Sequence, residues 1–499
     1  MSSPASDDPL LRALGEVVGH GQVRTDPDLV APHEVDWTGR WRGRARAVVR
    51  PADSTEVAGV LAVCAAHDAA LVPQGGNTGL VGGSVPRAGE VVLSLTRLDH
   101  LGAVEVGTGT AAAGADPSGG GAVVVGAGAT LAAVQRHARA AGLAYGVDLA
   151  ARDTATIGGT IATDAGGLGV VRHGTTRAQV LGLEAVLADG TVLDRLHPPL
   201  AEGLGYDLRG LLVGSEGTLA VVTSARLRLV RPPSHVAVAL IATDRVAAAL
   251  EVQRVLAAAV GPLEASELLT RTGLELVTGA PGVRAPFTDP PPAALLVEVA
   301  GGAQVAAALT DAVAAAAAEV DGVRDAVIGA EAGDRAALWA LREGHTERLA
   351  ERGVAVKLDV VLPLATLAGF VEDLPGIVRA AGGADAEVVV FGHLGVGDLH
   401  CNVLGVPPAA VAGVEEAVLT AVVAAGGSPC GEHGVGVQKR GWVARVRGPA
   451  ELAVLRALKG ALDPAGRLNP GVLLPASLAG EQEGPSDHLV EHQEGERPA

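Results

Sequence analysis

Pro73-Gln-Gly-Gly-Asn-Thr-Gly-Leu-Val-Gly-Gly-Ser84 is the stretch that decides the fold. A short apolar run, Leu71-Val72, leads straight into it, so a strand empties into a loop carrying five glycines. Glycine lets backbone amides turn toward an anion and approach it closely. Asn77, Thr78 and Ser84 add neutral hydrogen-bonding side chains. No lysine follows, which excludes the triphosphate P-loop pattern. A pyrophosphate held by amides fits instead. Two more glycine loops lie downstream, Thr156-Ile-Gly-Gly-Thr-Ile-Ala-Thr-Asp-Ala-Gly-Gly167 and Gly214-Ser-Glu-Gly-Thr218. Any one of them reads equally well as an ordinary turn. Three in one region point to a long ligand of several parts, such as a dinucleotide.

The surrounding pattern alternates strand and helix. Ala47–Arg50 reads as a strand, Asp53-Ser-Thr-Glu56 as a capping box opening a helix through Ala66, and Val91–Leu95 as a further strand. Val124-Val-Gly-Ala-Gly-Ala-Thr-Leu resembles a nicotinamide fingerprint, but Leu131 stands where its third glycine belongs and no acid follows a second strand. It reads as a strand-to-helix turn. Residues 107–121 form a low-complexity loop, expected at a hairpin tip. Beyond Pro232-Pro233, strands such as Val236–Ile241 and Ala294–Val299 alternate with Ala-rich helices at 245–259 and 303–319, an α+β pattern. A short final helix is expected at 451–460. Residues 1–10 and 476–499 read as disordered, being polar with little to bury.

A chain of 499 residues needs two or three cores. Its apolar fraction of 48% supports globular folding, and with aromatics at only 2% the cores must be built from Val, Leu, Ile and Ala. A net charge of −18 argues against nucleic acid or anionic membrane as a main partner. No apolar stretch is long enough to span a bilayer, and the first ten residues lack the parts of a signal peptide. Cys64, Cys401 and Cys430 are scattered and odd in number, which fits a reducing cytoplasm and small core residues. Only three of the 38 basic residues are lysine: Lys357, Lys439 and Lys459. A compact ammonium suits tight places that a guanidinium does not, so each is worth locating.

A second constellation lies near the C-terminus. Val388-Val-Val-Phe-Gly-His393-Leu-Gly-Val-Gly-Asp-Leu-His400-Cys-Asn402-Val403 reads as a hairpin holding two imidazoles face to face at its mouth. Gly431-Glu432-His433-Gly434 adds a carboxylate and a third imidazole. Two neutral imidazoles and one carboxylate suit a divalent metal with open positions, zinc first. Two unrelated glycine turns would explain either piece alone but not their pairing.

The segments Pro73–Ser84, Ile157–Gly167, Gly205–Arg209 with Gly214–Thr218, Gly392–Asn402, Gly431–Gly436 and Asp463–Gly471 occur in one order over roughly residues 35–475. In this the chain resembles the flavoenzyme family of vanillyl-alcohol oxidase and p-cresol methylhydroxylase (PCMH), in its 2-hydroxyacid dehydrogenase branch. That branch holds D-lactate dehydrogenase, the glycolate oxidase flavin subunit and D-2-hydroxyglutarate dehydrogenase. The resemblance implies an α+β fold: a PCMH-type FAD-binding domain of two subdomains (11–232), a ferredoxin-like cap for substrate that carries the metal motifs (233–440), and a C-terminal segment returning to the flavin (441–475). It implies FAD on Gly75, Gly76, Asn77, Thr78, Gly79, Gly83 and Ser84 at the pyrophosphate, and on Gly158, Thr163, Asp164, Gly167, Glu216 and Asn469 along the remainder. No marker of covalent attachment is present. Two departures stand out. The family's Gly-Asp-Gly-Asn in the hairpin loop is Gly395-Val396-Gly397-Asp398 here, and Thr160 and Asp164 replace the usual Asn. Asp164 beside a flavin would lower its potential.

Oxidising a 2-hydroxyacid requires removing the hydroxyl proton as hydride leaves carbon. A metal on His393, His400 and Glu432 can bind the hydroxyl and acidify it. His433 is then the natural general base, and Asn402, on the same strand face as His400, can orient substrate. Arg342 and Thr346 share a helix face, and Lys357 lies on the following strand, Val354–Leu362. In the hydroxyglutarate branch an Arg, a Thr four residues on and a Lys fifteen residues on hold the distal carboxylate. Arg342, Thr346 and Lys357 match that spacing; a surface salt bridge and a strand-edge charge are the plainer alternatives. The expectation is FAD- and metal-dependent oxidation of a small-molecule D-2-hydroxyacid, D-2-hydroxyglutarate first and D-lactate or glycolate second. A catalytically silent flavin subunit would not need the full His393, His400, Glu432, His433 set. Quinone, cytochrome and electron-transfer flavoprotein are all compatible acceptors, and a homodimer is compatible too.

Overall fold

Residues 8–107, 120–199, 202–353 and 356–475 are described in the computed structural model. The tail expected to be disordered, 476–499, lies outside them, as do residues 1–7 and most of the loop at 107–121. Residues 8–10 depart from the reading of 1–10 as unstructured. Asp8 accepts from the Leu10 amide at 3.0 Å and opens the helix Pro9–Val18. Leu10 and Leu14, one helical turn apart, bury against Val57 and Val60 of the helix Ser54–Ala66.

The first sheet has strand order Val23–Arg24, Ala45–Val49, Glu90–Ser94, Leu71–Gln74, and its last three strands run parallel. The helix Ser54–Ala66 makes the crossover. Its cap differs by one residue from a capping box. Asp53 accepts from the Glu56 amide at 2.8 Å, but Glu56 reaches back to the Ala52 amide at 2.7 Å. Leu71–Gln74 delivers the chain directly into the glycine loop. The second sheet is antiparallel and pairs Gly121–Gly126 and Val180–Val186 on either side of Val221–Val230. Here the fingerprint-like Val124–Val134 is indeed a strand-to-helix turn, with Thr130 capping the helix Leu131–Ala140. Gly128 is required by packing: a Cβ there would lie 2.1 Å from the Leu95 carbonyl.

The third sheet is antiparallel throughout, in the order Val323–Gly329, His235–Thr243, Ala293–Gly301, Ala265–Thr270, Glu387–His393, Asp398–Leu404, Val356–Val361. Its first four strands, with the helices Val246–Val260 and Val305–Glu319, form a ferredoxin-like unit. Both faces are covered. Ala237, Ala239 and Ile241 enter one core with those helices, while Val238, Leu240 and Ala242 enter another with Leu338 and Leu341. That is why this strand is apolar at every position.

The helical stretch Arg440–Leu462 is two helices that meet at a kink at Gly448, where φ is 71°, and the second of them contains the helix expected at 451–460. Gly448-Pro449 interrupts both the apolar pattern and the helix. Beyond it the chain returns to the first sheet, where Leu468 bridges to Leu71. Lys459 fastens this return. Its ammonium donates to the carbonyls of Thr218 (2.7 Å) and Leu468 (2.8 Å) and to the Asp463 carboxylate (2.5 Å). A guanidinium cannot point three donors into so small a cage. Lys459→Met is therefore expected to cost about 1.5–3 kcal/mol, read as a lower thermal unfolding midpoint; an unchanged midpoint would contradict the pinning role. Among the described residues no helix is long and apolar enough to cross a membrane.

Candidate active site

Four adjacent strands of the third sheet place their functional side chains on one face. In the pairing register Glu267 lies opposite His393, Phe391 opposite His400, His400 opposite Asp359, and Asn402 opposite Lys357. Residues two apart share a face, so Glu267, Phe391, His393, His400, Asn402, Lys357 and Asp359 all project the same way. The hairpin turns at Leu394–Val396 and Gly397. Gly397 has φ 75°, and a Cβ there would meet the Leu362 carbonyl at 2.1 Å.

The register corrects one expectation. His393 pairs with Asp398 and His400 with Phe391, so the two imidazoles sit diagonally and not opposite each other. Their rings are 5.4 Å apart and edge to face at 81°. The ring stacked on His400 is His433, at 5.6 Å and 12°.

Each hairpin imidazole is held at Nδ1 by a buried carboxylate. Glu267 Oε1 is 2.6 Å from His393 Nδ1, and Asp359 Oδ1 is 3.2 Å from His400 Nδ1. The other nitrogen of each faces Glu432, with His393 Nε2 at 3.9 Å and His400 Nε2 at 3.8 Å from its carboxylate oxygens. Burial disfavours the charged form of Glu432, but the surrounding imidazoles, His393 first, outweigh it and hold the carboxyl at about 2. Glu432 Oε2 is buried with no hydrogen-bond partner. The donor atoms of His393, His400 and Glu432 lie within 4.8 Å of one another. Two oriented imidazoles, an ionised carboxylate and an orphaned oxygen fit a divalent ion.

Asp359 does more than hold His400. Its Oδ2 accepts from the His433 amide at 3.0 Å and lies 3.7 Å from His433 Nδ1. Burial lowers the His433 pKa, which keeps the ring neutral and able to take a proton. Lys439, itself buried, donates to the Asp359 carbonyl at 2.9 Å. The substituted Asp398 is also buried; burial, then Asp359, push its carboxyl well up. Val396 is exposed on the loop's outer side.

One cavity of about 900 Å³ runs from the glycine loops to this cluster. All the sequence-derived site residues line it except Asp164. Asp164 instead sits in left-handed conformation, with its carboxylate on the Arg177 amide (2.9 Å) and guanidinium (2.8 Å). Its charge is paired with Arg177 there, away from the cavity-lining residues. Several other side chains tie loops together. Asn77 donates to Val35 and accepts from Ser84. Glu216 accepts from the Val435 (2.7 Å) and Gly436 (2.9 Å) amides, and Asn469 donates to the carbonyls of Gly83 and Glu216 at 2.8 Å each. Burial pushes the Glu216 carboxyl up to about 7. These contacts close the turn carrying Glu432 and His433 onto the glycine loops. The amides of Gly75 to Gly79 have no backbone or side-chain acceptor among the described residues. Five such amides along a cavity wall fit a phosphate-bearing group.

Arg342, Thr346 and Lys357 line the same cavity. Arg342 is no surface salt bridge. It is buried, its Nε donates to Glu267 at 2.5 Å, and its guanidinium lies 4.7 Å over Phe391. Its terminal amino groups have no protein partner among the described residues. Glu267 and Asp359 escaped the sequence reading. The available signal was a lone acid in Ala265–Thr270 and the Lys357/Asp359 alternation in Val356–Val361, each in an otherwise apolar strand.

The fold and this cavity define a flavin-binding oxidoreductase, and the comparisons with known proteins agree. Residues 45–195 match an FAD binding domain, and residues 232–473 match the C-terminal domain of FAD linked oxidases. The chain belongs to the FAD-linked oxidase family. It is 37% identical to a D-2-hydroxyglutarate dehydrogenase of Xanthomonas citri pv. viticola, over 93% of this chain and 97% of that one. It is also 37% identical to a mitochondrial D-2-hydroxyglutarate dehydrogenase of Bos taurus, over 93% and 83%. In fold it is similar to p-cresol methylhydroxylase, with TM-score 0.73, 16% identity, and 94% and 97% coverage.

Proposed function

We propose that this protein oxidises D-2-hydroxyglutarate to 2-oxoglutarate, with hydride passing to FAD, the hydroxyl proton to His433, and a divalent metal, zinc by its donor set, at His393, His400 and Glu432. In class it is an FAD-linked hydroxyacid dehydrogenase. The observation that carries the substrate is a pair of cations, Arg342 and Lys357, in the cavity that also holds the metal donors. The relatives named for D-2-hydroxyglutarate support it.

When bound, FAD supplies the hydride acceptor and the ion supplies Lewis acidity toward the hydroxyl. His433 takes the hydroxyl proton at Nε2, because its Nδ1 faces Asp359. Asp359 holds that ring and favours the imidazolium that forms. Asn402 orients the substrate from the strand face beside His400. The Arg342 terminal amino groups and the Lys357 ammonium hold the far carboxylate. Reoxidation requires a separate acceptor of quinone, cytochrome or electron-transfer flavoprotein type. The unpaired cysteines favour the cytoplasm.

Anaerobic mixing with D- and L-2-hydroxyacids tests this directly. D-2-hydroxyglutarate should bleach the flavin fastest, and metal analysis should give about one ion per chain. Full activity in metal-free protein would end the metal assignment. Lys357→Ala should shift the kcat/KM preference for D-2-hydroxyglutarate over D-lactate by roughly ten- to a hundredfold, the worth of a charged hydrogen bond. Equal losses on both would make Lys357 structural. Arg342→Ala is the poorer test, because it also strands the Glu267 charge.

A further inference from the structure

Lys357 differs from the other cations of the cavity. No carboxylate among the described residues pairs with it, and burial alone lowers its pKa. What covers its ammonium is an aromatic ring: Lys357 Nζ lies 5.1 Å from the centre of the Trp37 ring. Trp37 is 57% exposed, so it is not filling a core. It also lines the cavity, at the substrate end.

The turn that carries Trp37 is anchored on both sides. Asp36 is buried; its amide donates to the Trp41 carbonyl at 3.0 Å, and its carboxylate accepts from the Trp41 amide at 3.1 Å and from the Thr38 hydroxyl. Trp41 packs its ring against Gly82 of the first glycine loop, where a Cβ would come within 2.8 Å. Arg40 makes two hydrogen bonds, 2.6 and 3.1 Å, to Glu415 of the helix Val411–Ala424. The turn therefore spans from the glycine loop to the helix Val411–Ala424 and holds an indole on the cavity wall beside Lys357.

We infer that Trp37 is a specificity-determining residue, an aromatic roof that keeps the Lys357 ammonium in a water-poor setting and so strengthens its hold on the far carboxylate of a dicarboxylate substrate. An ammonium has three donors, so one side can rest on the indole while another meets the carboxylate. Attraction between unit charges grows as water is displaced, and an indole face favours a nearby cation. This inference rests on the dicarboxylate reading above and assigns the residue that enforces it.

The test is equilibrium binding to the oxidised holoenzyme, followed by perturbation of flavin absorbance, with 2-oxoglutarate and with pyruvate. Trp37→Ala should weaken 2-oxoglutarate relative to pyruvate by roughly three- to thirtyfold, the range of cation–π contacts from exposed to desolvated. Trp37→Phe should retain most of the preference, because a ring remains. Equal loss on both ligands, no loss on either, or tighter 2-oxoglutarate binding in Trp37→Ala would overturn the inference. The two readings fail separately. A wild-type enzyme that holds 2-oxoglutarate no better than pyruvate refutes the dicarboxylate reading, and this inference with it. A wild-type preference that survives Trp37→Ala refutes only the role of Trp37.

Discussion

His400→Ala is expected to lower turnover of D-2-hydroxyglutarate by about a thousandfold or more and to empty the metal site, with FAD retained. His400 serves the site three ways. Its Nε2 is a proposed metal donor 3.8 Å from Glu432, its Nδ1 meets Asp359 at 3.2 Å, and its ring stacks on the proposed base His433. General base catalysis contributes about 10²–10⁴-fold, and a Lewis-acid metal several kcal/mol more. Loss of both roles together sets the expected size. FAD should remain because the unpaired amides of Gly75 to Gly79 belong to another domain. Stopped-flow bleaching, metal analysis and the visible spectrum of one preparation check all three. A variant that keeps its metal and bleaches near the wild-type rate would remove His400 from the site.

The second large effect is expected at Glu267, on stability. This carboxylate is fully buried, with one oxygen on His393 and the other on Arg342. Burial works against its charge, but His393 and then Arg342 outweigh that and lower its pKa. Removing one member of a buried ionic group costs about 3–5 kcal/mol, because the remaining charges lose their partner. Glu267→Ala should therefore lower the thermal midpoint by roughly 6–20 °C at about 2–4 °C per kcal/mol. Because the folded pKa is depressed, the stabilisation is complete above the ordinary glutamate value of 4.5 and is lost as pH falls through the folded value. The gap between wild type and Glu267→Ala should thus narrow in acid. Glu267→Gln keeps the shape and isolates the effect on the metal, where loss of an outer partner typically weakens affinity about 10–100-fold. A Glu267→Ala protein that melts with wild type would show that Arg342 and His393 do not depend on it.

Most of this site was legible because its residues come in short, glycine-bounded segments. Gly75, Gly76 and Gly79 announce a loop, and His393, His400 and Glu432 announce a cluster of candidate metal donors, without knowledge of the fold. Glu267 was not legible, since it meets His393 across 126 residues through strand register alone. The orientation of Asp164 was equally hidden. It stands beside cavity-lining Thr163, yet its left-handed conformation turns the carboxylate to Arg177. The diagonal geometry of His393 and His400 depends on where the hairpin turns, which Gly395-Val396-Gly397 leaves open to more than one register. Composition did foreshadow the lysines. Lys439 and Lys459 each donate to backbone carbonyls in confined places where an ammonium fits.

The hairpin at 394–397 also limits how this protein can diverge. Side chains along a strand alternate between faces, so a one-residue change in loop length inverts every position beyond it. Deleting a single residue there would turn Cys401 toward the cavity and send His400 and Asn402 into the core that Cys401 now occupies. The loop can accordingly change its letters but not its length. Val396 at the tip is 37% exposed and takes no part in the strand pairing, so its side chain can change with the register untouched. Substitutions should accumulate at this tip while insertions and deletions are purged, so catalytic competence in descendants of this chain can be sorted by loop length before any residue in the loop is compared.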